Sequence, residues 1–385
     1  MLWNRLINQE RVRDALQRAV DSERVAHAWL FHGPDGSGKR AAALAFAQML
    51  QCTTRQGGQA CGACLSCDKV ARLIHPDVHV LMPHTNDATM DDLNARVALL
   101  AESPYEIVDF QRRPSLDGSV GGTNKQVAYL VDRVQEDIRR PMGYRPAEGI
   151  YRIAILLDAD LMRTEAANAF LKLLEEPGPQ TVFMLLTSRL DHMLPTIMSR
   201  CQQIRFDRLD PDDIAAGLVE EGLADPDLAG VLARMADGSY SLARSMAQSD
   251  DLRGSREEVL DFLRQSYVGN GHVLLQKVDA MANLGREPLK FVLQVLLGML
   301  RDLLLLSAAG PEAPIVNVDR RDVLRKFLDG LPDARLETMI ESVERSMLLV
   351  ERNTNARLVL SVLSMSLGKA MRGDRDALVP LSLTA

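Results

Sequence analysis

Apolar residues run almost without interruption through three short stretches: one ending near Phe31, one at Arg152–Asp160 (RIAILLDAD) and one at Thr181–Ser188 (TVFMLLTS). Runs of this length bounded by turn residues predict strands buried on both faces. Between them the period changes. Ala42, Leu44, Ala45, Ala47 and Leu50 build one apolar helical surface, and Ala167, Phe170, Leu171 and Leu174 build another, which Pro177–Gly178 stop. Strands alternating with helices predict a parallel sheet with helices packed on both faces.

Between His84 and Asn124 the chain turns polar and holds Gly and Pro. Thr89 and Asp92 stand in capping-box positions ahead of LNARVALLAE, which predicts one helix there. The rest of this insertion, SLDGSVGGTNK included, is expected to be a mobile surface segment, because it lacks the means to pack. From about Asp210 the strand signal stops. DPDDIAAGLVEEGL and PDLAGVLARMADGSYSLARSMAQ predict a small helical bundle, and longer amphipathic helices follow from about Asp250 to the end. The expected domains are therefore 1–207, 208–250 and 251–385.

The totals change this picture little. Of 385 residues, 46% are hydrophobic and 25% charged, ordinary for a globular protein; aromatics are scarce at 4%, which leans towards helix. A net charge of −7 gives no overall basic footprint, so any nucleic-acid contact is expected to be local or shared with partners. The N-terminal segment is charged and amphipathic and is not expected to be a signal peptide. The most apolar run, Phe291–Ser307, carries Gln294, Arg301 and Asp302 and is short for a membrane span, so a core helix is expected. These features place the protein in the cytoplasm.

Two motifs carry chemistry. The first is GPDGSGKR, Gly33–Arg40, between a predicted strand and a predicted helix. In a G-x-x-x-x-G-K-[ST] loop, glycines let backbone N–H groups surround phosphates, lysine neutralises charge and a hydroxyl holds Mg²⁺. Gly33, Gly36, Gly38 and Lys39 fit; Arg40 stands where the hydroxyl belongs, and a guanidinium has donors only. A glycine-rich turn that binds nothing is the plain alternative. The next strand ends Asp158-Ala159, where a hydrolase of this plan carries a second carboxylate to polarise water; Asp160 would be displaced by roughly 6 Å along a strand. Asp158 and Asp160 could equally cap the following helix.

The second motif is Cys52-x8-Cys61-x2-Cys64-x2-Cys67, with Gly57, Gly58 and Gly62 allowing tight turns. Four thiolates this close suit one tetrahedral Zn²⁺, and a closed four-sulfur site is structural. An iron–sulfur cluster lacks its fourth ligand with a trailing proline here. Free or disulfide-bonded cysteines are the remaining alternative.

AHAWLFHGPDGSGK, the four cysteines, HPDV, AANAFLKLLEEP, LLTS and SRCQQIRF occur in that order. In them the chain resembles the bacterial clamp-loader subunits of DNA polymerase III, of the AAA+ class, and most of all the delta-prime type. The resemblance runs from about Leu2 to Phe206; further on, RDLLLL, IVNVD and ERNTNARLVLSVL fit the family's helical collar less specifically. It implies a RecA-like AAA+ domain at 1–207 with a zinc module at 52–67, a helical lid at 208–250 and a collar at 251–385. It also implies partners: gamma/tau ATPase subunits, a delta subunit, and through the assembly a sliding clamp and primer-template DNA.

Active gamma/tau subunits of the family carry a hydroxyl after the loop lysine, an Asp-Glu strand end and a lid arginine in GS-x-R. Here stand Arg40, Asp158-Ala159 and Ser241 within GSYS. Arg244 lies three residues on, about one helical turn, and is not read as a substitute. The resemblance thus implies a subunit that does not hydrolyse ATP, with Gly33, Gly36, Gly38 and Lys39 as a vestigial loop for ATP or ADP and Asp158 as a degenerate acidic end. Arg200, in Ser199-Arg200-Cys201, corresponds to the family's trans-acting arginine finger; on its own it reads as an exposed loop arginine. The rival readings are an active gamma/tau-type ATPase and a zinc-containing nucleic-acid-binding protein.

Overall fold

A computed structural model describes residues 1–377 apart from 56, 114, 117–125, 132–133, 249–251, 353 and 375. Most of the SLDGSVGGTNK stretch therefore lies outside the described residues. The chain divides into two compact units, residues 1–246 and 247–385.

The first unit is built on five parallel strands: β1 (Ala28–His32), β2 (Val78–Leu81), β3 (Arg152–Leu156), β4 (Thr181–Thr187) and β5 (Gln202–Arg205), in the order β2-β3-β4-β1-β5. Register pairs Leu30 with Leu185 and Ala154 with Phe183. Because side chains alternate across a strand, each central strand feeds two cores. Trp29, Phe31, Ile153, Ile155, Val182, Met184 and Leu186 face one; Ala28, Leu30, Ala154, Leu156, Phe183 and Leu185 face the other. Every residue of β4 is buried, as a strand covered on both sides must be.

Helices α1 (Glu10–Asp21), α2 (Lys39–Gln51), α3 (Leu65–Ala71) and α4 (Met90–Glu102) lie with the first core; α5 (Thr164–Glu175) and the short α6 (Pro195–Met198) lie with the second. The alanines of α2 keep that helix slim enough to bury nearly every residue between the sheet and α3. The Thr89–Asp92 capping box starts α4 as the sequence predicts, satisfying two otherwise orphaned donors for about 1 kcal/mol. The predicted second strand is shorter than expected. It ends at Leu156, because Asp158 turns the chain through a left-handed backbone (φ 46°). Three more helices complete the unit: α7 (Pro211–Glu220), α8 (Pro226–Met235) and α9 (Tyr240–Gln248).

The second unit is helical: α10 (Leu252–Val268), α11 (Gly271–Ala282), α12 (Arg286–Ala309), α13 (Arg321–Asp329), α14 (Leu336–Glu351) and α15 (Ala356–Met371). Helix α12 contains the apolar run; its Pro288–Ala309 stretch is long and apolar enough to cross a membrane. Here it packs on α10, α13 and α14. Its buried Asp302 accepts hydrogen bonds from the backbone N–H groups of Val316 and Asn317 at 2.8 Å each and from Asn317 Nδ2 at 2.7 Å. These three bonds are what lets a carboxylate sit buried in the helical unit.

Candidate functional site

The loop after β1 leads straight into α2, at the carboxyl ends of the strands, where open parallel sheets bind ligands. Gly33, Gly36 and Gly38 all take positive φ. At Gly36 this is a requirement twice over, since a Cβ there would stand 2.1 Å from Ser239 Oγ. The buried Lys39 folds back on its own loop: Nζ donates to the carbonyls of Gly33 (2.7 Å) and Pro34 (2.5 Å). Burial lowers its pKa to about 8.

On its Asp158 side the space above the loop is filled by the chain itself, while a cleft of about 620 Å³ against Gly33, Pro34 and residues 205–208 stays open. Residues 103–113, part of the segment expected to be mobile, form a packed strap. Tyr105, Val108 and Phe110 are buried, and Tyr105 lies edge-on to Tyr240 with centroids 4.7 Å apart. The buried Arg96 of α4 clamps the strap by donating to the carbonyls of Val108 (2.6 Å) and Arg113 (2.7 Å) while stacking 3.7 Å over the Phe110 ring. Of these anchors Arg96 belongs to the insertion's own helix, whereas Tyr240 lies far along the chain, so the packing on Tyr240 has no local sign in the sequence.

Arg112 projects from the strap between two carboxylates. It bonds Asp35 of the glycine loop, and its Nε lies 2.6 Å from Asp109. Burial alone would raise Asp35, but Arg112, Arg40 and Lys39 hold it down at about 2. Burial and the charges of Asp109 and Asp35 push Asp158 up to about 7. Asp35, Lys39, Arg40, Tyr105, Arg112 and Asp158 surround a cavity of only about 30 Å³. One water needs about 10–15 Å³ on the same measure, so the space left suits a water or two.

Arg40, the departure from the phosphate-loop pattern, is also committed. Its Nη1 donates to the Glu106 carbonyl (2.7 Å) and its Nη2 to Ser241 Oγ (3.4 Å). Two departures seen separately in the sequence therefore meet in space. An arginine at 241 would press one guanidinium on another, whereas serine offers an acceptor. Arg244 is engaged elsewhere, by Glu106 and by Glu221 at 3.0 Å. Asp160 accepts from Thr187 Oγ1 (2.6 Å) and from Arg189 Nε (2.9 Å).

At the other end of α2, Cys52 is the C-cap; Cys64 is the N-cap of α3 and Cys67 lies in its first turn. The four Sγ atoms lie within 4.8 Å of one another, with Cys61 and Cys67 at 3.9 Å. A tetrahedron with Zn–S bonds of about 2.3 Å has edges of about 3.8 Å, so the cluster needs only small adjustment to hold zinc. Backbone N–H groups point at the sulfurs: Cys61 to Cys52 (3.2 Å), Cys64 to Cys61 (3.2 Å) and Cys67 to Cys64 (3.4 Å). Hydrogen bonds from Thr54 and from the Ala63 and Cys64 backbone lower Cys61, whereas burial pushes the neighbouring Cys67 thiol well above its ordinary value, so the four sulfurs share their protons unequally. Gln48 ties the cluster to α2, accepting from Leu2 N and donating to the Cys67 carbonyl, both at 3.0 Å.

Arg200 lies apart from both groups, exposed just after α6. Its Nη2 is 2.7 Å from Glu175 Oε1 and its Nη1 is 3.0 Å from the Thr196 carbonyl. Sequence reasoning missed Asp35, Asp109, Arg112 and Glu175. The alternation of apolar and charged residues in YEIVDFQRR was the available signal for the strap.

Comparison with known proteins agrees with these motifs. A family model described as DNA polymerase III, delta subunit, matches residues 8–210. DNA polymerase III subunit delta' of Bacillus subtilis is 28% identical over 264 residues, 69% of this chain and 67% of that protein. The subunit delta' of Pseudomonas aeruginosa is 34% identical over 178 residues, 46% of this chain and 42% of its own length. Subunit tau of B. subtilis is 26% identical over 369 residues, 89% of this chain but 57% of the relative. The chain thus spans about two fifths to two thirds of these curated relatives. With the family model matching more than half of its residues, a glycine loop set on a parallel sheet and four cysteines at the end of the loop's own helix, the chain belongs to the DNA polymerase III clamp-loader family.

Proposed function

We propose that this protein is a non-hydrolysing, delta-prime-type stator of the clamp loader. The observation that carries this reading is the self-occupied glycine loop. Lys39 bonds its own loop, Arg112 sits between Asp35 and Asp109, and Arg40 replaces the hydroxyl that would hold Mg²⁺. A hydrolytic site at this loop would need the strap moved, a metal ligand supplied and a water-polarising carboxylate found. Asp160, the nearest spare carboxylate in sequence, is already bonded to Thr187 and Arg189. The tau relative aligns with more of this chain than the delta' relatives do, but these substitutions argue against a working motor.

In this reading residues 1–207, 208–250 and 251–385 act as RecA-like domain, lid and collar. Cys52, Cys61, Cys64 and Cys67 hold a structural Zn²⁺ that braces α2. Arg200 serves in trans, its guanidinium stabilising charge on the phosphoryl group transferred at a neighbouring gamma/tau subunit. Together with a delta subunit the assembly, working in the cytoplasm, opens a sliding clamp and places it on primer-template DNA.

Two measurements test this. The isolated chain should show negligible ATPase activity with Mg²⁺; turnover at a motor's rate refutes the stator reading. In the reconstituted assembly, Arg200→Ala should lower kcat at one neighbouring site by about 10³-fold or more while leaving ATP binding nearly intact. If hydrolysis at that site is unchanged, Arg200 is not the finger.

A further inference from the structure

The Arg200 backbone is anchored on both sides. Ile197 is buried, Cys201 packs against the core on the α5 face of the sheet, and the backbone N–H of Arg200 bonds the Ile197 carbonyl at 3.1 Å. The side chain has four rotatable bonds beyond that anchor and would sample many positions if left alone. Two acceptors hold it instead. The Thr196 carbonyl takes Nη1, and Glu175, the last residue of α5, takes Nη2. The Thr196 carbonyl also accepts from Ser199 Oγ at 3.1 Å, so it is shared, whereas Glu175 offers a full charge.

We propose that Glu175 is a positioning residue for Arg200: it holds the guanidinium in one orientation, so that the side chain meets a neighbour's polyphosphate already ordered. This rests on the reading of Arg200 as a trans-acting finger. A guanidinium carries five N–H donors in a fixed fork. Glu175 and Thr196 use one each, which leaves three for phosphate oxygens. The pair is exposed on both sides, at 38% for Arg200 and 52% for Glu175, and exposed ion pairs contribute little to folding. Orientation of a reacting group, by contrast, acts directly on rate.

The experiment uses the reconstituted clamp loader, measuring kcat and KM for ATP with this subunit as wild type, Arg200→Ala, Glu175→Ala, Glu175→Gln and the Glu175→Ala/Arg200→Ala double variant. Thermal unfolding of each subunit serves as the folding control. Glu175→Ala should lower kcat about two- to fivefold with KM unchanged, the signature of an interaction that matters in the transition state. Glu175→Gln keeps an acceptor oxygen and should recover most of the rate. The double variant should be no slower than Arg200→Ala, because a positioning residue has nothing to position once its partner is gone. If Arg200→Ala slows hydrolysis but Glu175→Ala does not, or if the two losses multiply in the double variant, the positioning role is wrong and the finger stands. If Arg200→Ala changes nothing, the finger reading fails and takes this proposal with it.

Discussion

Removing the Arg112 side chain tests the strap most directly. Arg112→Ala leaves the carboxylates of Asp35 and Asp109 facing each other without their shared cation. Asp109 is nearly buried at 12% exposure, Arg112 is 30% exposed and Asp35 38%. Breaking a fully buried ion pair costs about 3–5 kcal/mol, and breaking an exposed one costs about 0–1. This geometry lies between those limits, so a loss of about 2–3 kcal/mol is expected. For a unit of this size that lowers its thermal midpoint by about 4–12 °C. The pH dependence supplies a sharper test. The cations hold Asp35 near 2, against 3.8 for an ordinary aspartate. Stability from a depressed carboxylate is present above its unfolded value and is lost as pH falls through its folded one. The gap between wild type and Arg112→Ala should therefore be full at pH 6–7 and shrink between about pH 4 and 2. Circular dichroism melts at a series of pH values measure it. A gap under about 0.5 kcal/mol at pH 7, or one that persists undiminished at pH 2.5, refutes the assignment of Arg112 as the strap's electrostatic anchor.

Metal analysis of the purified chain should find about one zinc per molecule, and Cys64→Ser should abolish it and cost at least about 3 kcal/mol of stability, because metal binding contributes directly to folding; full-length chain free of zinc yet equally stable would overturn the four-cysteine site. Asp158→Asn should stabilise the protein. Burial holds the folded carboxyl neutral up to about 7 against an ordinary value of 3.8, so wild-type stability falls as pH rises between those values, and asparagine escapes that loss. The advantage should open above pH 4, level off near pH 7 and reach at most about 4 kcal/mol, at about 1.36 kcal/mol for each of three decades of proton affinity. Denaturant titrations at pH 4.5 and 8 that give equal differences would refute it.

What the sequence reveals here follows how local each signal is. Strands β1, β3 and β4 stand out because strands covered on both faces are apolar throughout. The edge strands β2 and β5 have four residues each, and QQIR buries only Ile204, so neither makes a recognisable run. The cysteines declare themselves by spacing within sixteen positions of the sequence. The strap hides for the opposite reason: Arg112 and Asp35 are 77 residues apart, and a string of charged residues reads as solvated until its counter-charges are located. Arg200 is legible through motif resemblance, whereas Glu175, 25 residues away, is not, and so neither is the pair.

The glycine loop also serves as a packing joint. The Gly36 carbonyl accepts from Tyr240 N at 3.0 Å, and its missing Cβ makes room for Ser239, so the loop seats the start of α9. Selection on that joint alone would preserve the glycine. The joint with α9 therefore accounts for the glycine by packing alone, independently of any ligand in the loop.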